Sequence, residues 1–470
     1  MREPGAVKIE RFEDLLRGFE PSFEFEPIGQ VPESDYEDRI RRIRRDAVVA
    51  GHEVILINAS MVGWYHTSNG YLRYVCDWPR EGVLILPTDE NIAPELLTIY
   101  SGAVLLPPAG EAVGIADIWQ VGIVGREYTG RPGNTTDNVI AASVSVLKRM
   151  GLTRTQIGLI GDLQSTPIWS GLREALPSAK FVEDAGIIDR MQLVRSKAEQ
   201  DQIRAASRLV SIGYEAACHV LRAGVTDYEV YAAFTYAQMT RGGETGDGYQ
   251  LGVNEFGTHC GKPYGRTIRN GDILNLYVSN VCYHGYSSQT SRMMVVGDIT
   301  AKQEEVLDMT VDAVRRAERV IRPGIPASAL NNAAFEAYVE RGYLDSVETG
   351  RMPFNWSAQD DGTPRRIPYQ HVPDPDWEAQ GRTLMHVYPA TPGPHNPNLG
   401  HQIDMMGFLE YNITSLNTEI LKPGMIFVLH AQWLEPQVAG SNIGDLYLVT
   451  EDGYENLSHH TPLEPYRVGA

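Results

Sequence analysis

The chain of 470 residues holds only four cysteines, Cys76, Cys218, Cys260 and Cys282, none of them in CxxC spacing. This excludes a disulfide-built scaffold and a paired-cysteine zinc site, and it fits reduced thiols in a cytoplasmic protein. No apolar run is long enough to span a bilayer, and Met1-Arg2-Glu3-Pro4 is not followed by an apolar core, so neither a membrane span nor a secretory leader is expected. Positive charge is in short supply: 41 Lys and Arg against 60 Asp and Glu leave a net charge of −19. Such a field repels phosphates, so nucleic acid and anionic membrane are not expected partners. The phosphate-cradling patterns GxxxxGK[ST] and GxGxxG are missing, as is the GxSxG nucleophile elbow. One local absence matters more: no carboxylate occurs between Asp272 and Asp298.

What is present is apolar enough, at 43%, to build cores, and long enough for two of them. Residues 1–52 read as an N-terminal arm with one helix. In it, Arg39-Ile40-Arg41-Arg42-Ile43-Arg44-Arg45 alternates basic and apolar residues and reads as the solvated face of that helix, with an anion-binding or subunit-contact patch as the alternative. Val54-Ile55-Leu56-Ile57, Val83-Leu84-Ile85-Leu86 and Ile157-Gly158-Leu159-Ile160 are short buried-strand runs, with a helix near Asn138–Arg149. They predict a small α/β domain over 53–190. Ser196-x-x-Glu199, Thr226-x-x-Glu229 and Thr300-x-x-Gln303 are capping boxes. The first opens a helix with Ile203, Ala206, Leu209 and Val210 on its apolar face; the last opens one that stops by Arg322-Pro323-Gly324. Strands are predicted near Ile273–Val281, Gln289–Val296, Met425–Gln432 and Asp445–Thr450, giving a second domain over 191–470. A Pro-, Asp- and Trp-rich insertion at about 344–382 reads either as a lid or subunit-contact loop or as a passive insertion.

Several motifs, in order, carry a resemblance. Ile188-Asp189-Arg190-Met191-Gln192-Leu193-Val194-Arg195-Ser196-Lys197 leads to Gly271-Asp272-Ile273-Leu274-Asn275-Leu276-Tyr277, then Gly285-Tyr286-Ser287-Ser288-Gln289-Thr290-Ser291-Arg292. Leu421-Lys422-Pro423-Gly424-Met425 and Leu446-Tyr447-Leu448-Val449-Thr450-Glu451-Asp452-Gly453 follow. From about Val54 to Leu457 the chain resembles the creatinase/aminopeptidase P/methionine aminopeptidase family. The resemblance implies an α/β N-terminal domain joined to an α+β pita-bread catalytic domain, and a homodimer. In the metallopeptidases of that family two metals are held by two aspartates, a histidine and two glutamates. The matching positions here are Tyr277 or Val278 (depending on where a one-residue insertion falls), Gln289, a histidine, His430 and Gly444. The histidine is His386, with His401 as the rival alignment. Hard cations need anionic oxygens, which these positions do not offer, so no metal ligand is assigned.

What remains is proton chemistry. Creatinase, a metal-free member, uses a histidine just before the strand that opens at Gly271; Gly257-Thr258-His259-Cys260 stands there, which makes His259 the expected general acid/base. His386 and His430 complete the catalytic candidates; Tyr277, Gln289, Ser291, Arg266, His401 and Glu410 are the substrate-binding ones. Arg292 reads as a scaffold residue. With Ser291 and His430 where creatinase carries pocket glutamates, a cation would find no counter-charge, and a neutral or anionic small-molecule substrate is expected. A rebuilt zinc or iron site on His386, His401 and His430 is the cofactor-bearing alternative to a cofactor-free enzyme. Trp64-Tyr65-His66 and Tyr71-Leu72-Arg73-Tyr74 stand where family members reach a partner subunit's pocket, or simply pack the domain. The functional expectation is metal-independent hydrolysis of a C–N bond. A lyase on the same scaffold, a metal-dependent Xaa-Pro peptidase-like hydrolase and a non-catalytic binding module are the alternatives.

Overall fold

A computed structural model describes residues 12–59, 70–99, 112–122, 130, 133–162, 165–245, 249–257, 263, 265–348, 369–372, 378–379, 381, 384–387, 392–394, 398–403 and 411–469. Contacts divide the chain into two compact units, one drawn from Gly29–Ala198 and one from Met1–Ile28, Glu199–Ile403 and Gly407–Ala470.

The first unit is built on six strands, β1 Val54–Ala59, β2 Gly82–Pro87, β3 Glu95–Ile99, β4 Asp117–Val121, β5 Gln156–Ile160 and β6 Lys180–Glu183. They form a mixed sheet in the order β4-β3-β2-β1-β5-β6. The three apolar runs marked in the sequence are β1, β2 and β5, adjacent and buried at the sheet centre. The predicted helix is Thr135–Arg149, capped by the Asn134 side chain on the Asp137 amide. The expected arm is not a separate piece. Its helix Glu33–Val49 puts Ile40, Ile43 and Ala47 into the core of this unit, whereas Leu15, Leu16, Phe19, Phe23 and Phe25 pack in the other. The basic run is not wholly a solvated face either. Arg39 is 3% exposed, its guanidinium stacked on Tyr36 and Tyr74 while it donates to the Tyr74 carbonyl at 2.6 Å. Tyr71 and Tyr74 pack the same core; Trp64-Tyr65-His66 lies outside the described residues.

The second unit holds one large sheet. The strands that matter for function are β8 Tyr249–Val253, β9 Ile273–Tyr283, β10 Tyr286–Val296, β13 Gly400–Gln402, β15 Ile426–Glu435 and β16 Ala439–Val449. Four short ones, β7 Glu244–Thr245, β14 Asn412–Ile413, β17 Tyr454–Asn456 and β18 Tyr466–Val468, complete it. The order is β14-β13-β15-β16-β10-β9-β7, with β8 beside β9, β17 beside β16 and β18 beside β10. Helices cover one face. From the helix Lys197–Val220, Val210, Tyr214 and Ala217 meet Leu274, Leu276 and Val278 of β9, and Ile203, Ala206 and Leu209 are buried as their spacing predicts. The capping boxes at Thr226/Glu229 and Thr300/Gln303 are both formed, fixing the starts of helices Asp227–Met239 and Ala301–Glu318. At the third, the Ser196 hydroxyl donates to Asp35 at 2.7 Å. Of the insertion, β11 Tyr369–Val372 pairs with β12 Leu384–Val387 in a separate two-stranded sheet; most of the segment lies outside the described residues.

Side chains alternate across a strand, so the residues between the helix-facing ones form the opposite face. Tyr277 pairs with Ser291, Ser291 with Gly444, and Gly444 with His430, one straight row across β9, β10, β16 and β15.

Candidate functional site

That row and its neighbours on the same face are polar and buried, with no Asp, Glu, Lys or Arg among them. Tyr277 is 4% exposed, Gln289 2%, Ser291 0%, His401 6%, His430 2% and Gln432 4%. Register places them. Between Ser288↔Val281 and Thr290↔Val278 the ladder slips: β9 advances three residues while β10 advances two. The one-residue insertion is thus a bulge in β9 opposite Gln289. It settles which residue takes the first metal position, because Val278 falls on the helix face in the apolar cluster and Tyr277 on the polar face.

Gln289 joins the strands. Its amide nitrogen makes a close contact with the Tyr277 hydroxyl and lies 3.1 Å from His401 Nε2. His401 Nδ1 donates to the Gln402 carbonyl at 2.9 Å, and burial pushes the His401 pKa below its ordinary value. The imidazole is therefore neutral, with Nδ1 carrying the proton and Nε2 accepting from Gln289. His430 stacks edge-on to both neighbours, its ring centroid 5.5 Å from that of His401 and 5.9 Å from that of Tyr277. The Gln432 side-chain amide lies 2.9 Å from His430 Nδ1. Gln432 was not singled out from the sequence; it faces the site because it follows His430 by two residues on one strand.

Three expectations are corrected. His401, not His386, is the pocket histidine: β13 hydrogen-bonds to β15 and carries His401 to Gln289, whereas His386 is on β12, whose partner is β11. Ser291 does not offer its hydroxyl to a substrate; Oγ donates to the Asn442 carbonyl at 2.7 Å and accepts from Asn275 Nδ2 at 2.9 Å, tying β9, β10 and β16 together. Arg266 is an ion-pair partner of Asp272 at 3.5 Å, the two side chains 12% and 7% exposed. Arg292 holds the back of the site as a scaffold residue: it donates to the Gly444 carbonyl at 2.8 Å and to Asp445 at 2.6 Å. His259 and Glu410 lie outside the described residues.

A pair of divalent cations does not fit this donor set. Both His401 nitrogens are engaged, His430 Nδ1 is in hydrogen-bond contact with Gln432, and the other positions supply a phenol, an amide and a glycine. At Gly444 a side chain has no room, since a Cβ there would lie 2.2 Å from the Leu429 carbonyl oxygen and 2.7 Å from His430 Cα. Of the three histidines of a rebuilt site, His401 and His430 adjoin, while His386 is on β12, which pairs with β11. Among the described residues, no three His, Cys, Asp or Glu side chains cluster as metal ligands.

Comparison with known proteins gives the lineage. The family model described as metallopeptidase family M24 matches residues 201–451. An uncharacterized peptidase of Staphylococcus aureus strain MW2 is 24% identical over 285 residues, 58% of this chain and 64% of the relative, so the match spans 64% of that protein's length. Among solved structures, an Xaa-Pro dipeptidase from Bacillus anthracis superposes with a TM-score of 0.66 at 18% identity, covering 92% of this chain and 100% of that one. A prolidase from Pyrococcus furiosus gives 0.62 at 18% identity, covering 88% and 98%.

Proposed function

We propose a metal-independent hydrolase of C–N bonds, starting from the premise that the chain belongs to metallopeptidase family M24. Membership supplies the pita-bread domain behind an α/β N-terminal domain, and supports hydrolysis as the reaction class. The comparisons lend no support to the lyase alternative. One observation carries the finer reading: the five family metal positions are occupied by Tyr277, Gln289, His401, His430 and a Gly444 with no space for a side chain.

On this reading the polar row binds a neutral carbonyl or ureido group, because no formal charge lines it among the described residues and a charged ligand would be left unpaired. Arg266, the candidate receptor for an anion, is paired with Asp272. His259 is kept as the acid/base: it takes a proton from water, the hydroxide oxygen adds to the carbon of the C–N bond, and the imidazolium returns the proton as the nitrogen departs. Negative charge on the carbonyl oxygen would be met by hydrogen bonds from Tyr277 and His430. A homodimer belongs to the same proposal, testable by light scattering. No helix among the described residues is long and apolar enough to cross a membrane.

The activities named for the solved neighbours favour a second reading, a metal-dependent Xaa-Pro peptidase. The test is a panel of neutral amides, ureides and Xaa-Pro dipeptides, followed by NMR with protein stripped by EDTA and 1,10-phenanthroline. We expect turnover of a neutral substrate to survive stripping and to be lost in His259→Ala with the fold intact. Cleavage of Xaa-Pro peptides that returns only with added Mn2+ or Zn2+ would overturn the proposal.

A further inference from the structure

Within the second unit, on the helix-covered side of the sheet, is a cavity of about 620 Å³ that no residue of the polar row lines. Small-molecule sites fall at about 300–1,000 Å³. Buried residues of β10, Arg292 and Met294 among them, form its floor, with Tyr214 of the helix Lys197–Val220 beside them. Exposed residues form its rim: Glu20 and Ser22 on one side, Tyr466 on the other. The ionisable groups of the lining do not cancel. Arg292 is paired with Asp445, Arg467 with Glu304, and Glu464 with Arg315 at 3.0 Å. Burial pushes the Cys218 thiol up to about 12 and holds His460 below its ordinary value, so both are neutral at pH 7. Glu20 and Glu215 remain. Among the described residues neither meets a Lys or Arg; Glu215 accepts from Ser22, the amide at 2.7 Å and the hydroxyl as second donor.

Aromatic rings stand beside these two carboxylates. His219 follows Glu215 by four residues on one helix face, and Phe19 packs on it with ring centroids 5.6 Å apart. Tyr466, 45% exposed, adds a ring from the C-terminal side. Uncompensated carboxylates next to ring faces attract a cation and repel an anion. The floor carries two polar atoms without a partner, Arg292 Nε and Thr461 Oγ1, on residues 4% and 9% exposed. Buried polar groups are normally paired, and an oxygen on an occupant would complete them. The geometry points to a binding site for a small organic ammonium ion, its cationic head at Glu20 and Glu215, its apolar body between Phe19 and Tyr466, and a hydroxyl or carbonyl oxygen toward Arg292 and Thr461. This site is separate from the polar row and independent of what that row binds.

Tyramine carries an ammonium head, an aromatic body and a hydroxyl, and serves as the probe in calorimetry on the full chain at low ionic strength. It is expected to saturate a single site. 4-Ethylphenol, which lacks the ammonium, should bind at least about tenfold more weakly, and 3-(4-hydroxyphenyl)propionate, with the charge reversed, should not bind measurably. A net charge of −19 draws any amine loosely to the surface, so substitutions separate the site from the general field. Removing one acid of 60 barely alters that field, whereas Glu215→Gln should weaken tyramine about tenfold. Since Glu215 also holds Ser22, the second variant is Glu20→Gln, an exposed carboxylate whose loss leaves the fold undisturbed and should weaken tyramine about threefold. Absence of saturable tyramine binding, equal affinity for tyramine and 4-ethylphenol, or an affinity unmoved by both substitutions would overturn the inference.

Discussion

Gly444 faces His430 across the β15–β16 ladder so closely that a Cβ on Gly444 would lie 2.7 Å from both the Cα and the Cβ of His430. The glutamate that the family carries at this position has therefore been replaced by a close approach of two strands. Restoring the acid, by Gly444→Glu, is expected to destabilise by about 3 kcal/mol or more through overpacking. It should not produce a metal site. A urea midpoint near that of the unsubstituted protein, or stoichiometric Zn2+ in the variant by mass spectrometry, would contradict this.

Behind the row, Arg292 and Asp445 form a buried ion pair, side chains 5% and 3% exposed, and Arg292 also donates to the carbonyls of Ser291, Gly444 and Thr461. Removing one charge leaves the other uncompensated in a dry interior. Asp445→Asn should cost about 3–5 kcal/mol in denaturant unfolding. Arg292→Lys should fare badly too, since an ammonium lacks the planar fork that reaches several acceptors at once.

His401 gives a pH signature. Burial holds its folded pKa below the unfolded value of about 6.5, so between the two the unfolded chain binds more protons. Its contribution is complete above about pH 6.5 and is lost as pH falls toward the folded pKa. The slope from this one group is at most about 1.4 kcal/mol per pH unit. In His401→Gln, stability should fall less steeply between about pH 7 and 5, read as melting temperature against pH; identical slopes would rule this out.

Tyr277→Phe removes only a hydroxyl from a buried ring. On the substrate found in the stripped-enzyme screen, kcat is expected to drop about 100-fold, with stability changed by about 1 kcal/mol. A rate within about twofold of the parent would remove Tyr277 from the machinery.

Much of the fold was legible because it depends on short-range rules. β1, β2 and β5 follow from runs of Val, Ile and Leu, and the helices at Asp227 and Ala301 begin where their capping boxes place them. Helix Glu33–Val49 was also legible, but its allegiance was not: Arg39 could be seen as basic, and only the stacked rings of Tyr36 and Tyr74 make it a core residue. At the site, Tyr277, Gln289 and His430 were found through alignment to strands. Ser291 was misread because its hydroxyl is spent on the Asn442 carbonyl, a partner 151 residues away. Gln432 was passed over because an amide in a strand carries no chemical signature until an imidazole stands beside it.

The sequence by itself determined the lineage, the alternation that buries one polar face, and the loss of acidic ligands, since composition and period are properties of the chain alone. Tertiary structure decided the rest. Whether His401 or His386 joins the site depends on which strand β15 accepts as its neighbour, and the side of the sheet on which Tyr277 falls depends on one extra residue in β9. Which nitrogen of His401 carries its proton depends on the Gln402 carbonyl at one side of the ring and on the Gln289 amide brought from a distant strand to the other. Each is set by long-range pairing, where a shift of one residue turns every side chain to the other face.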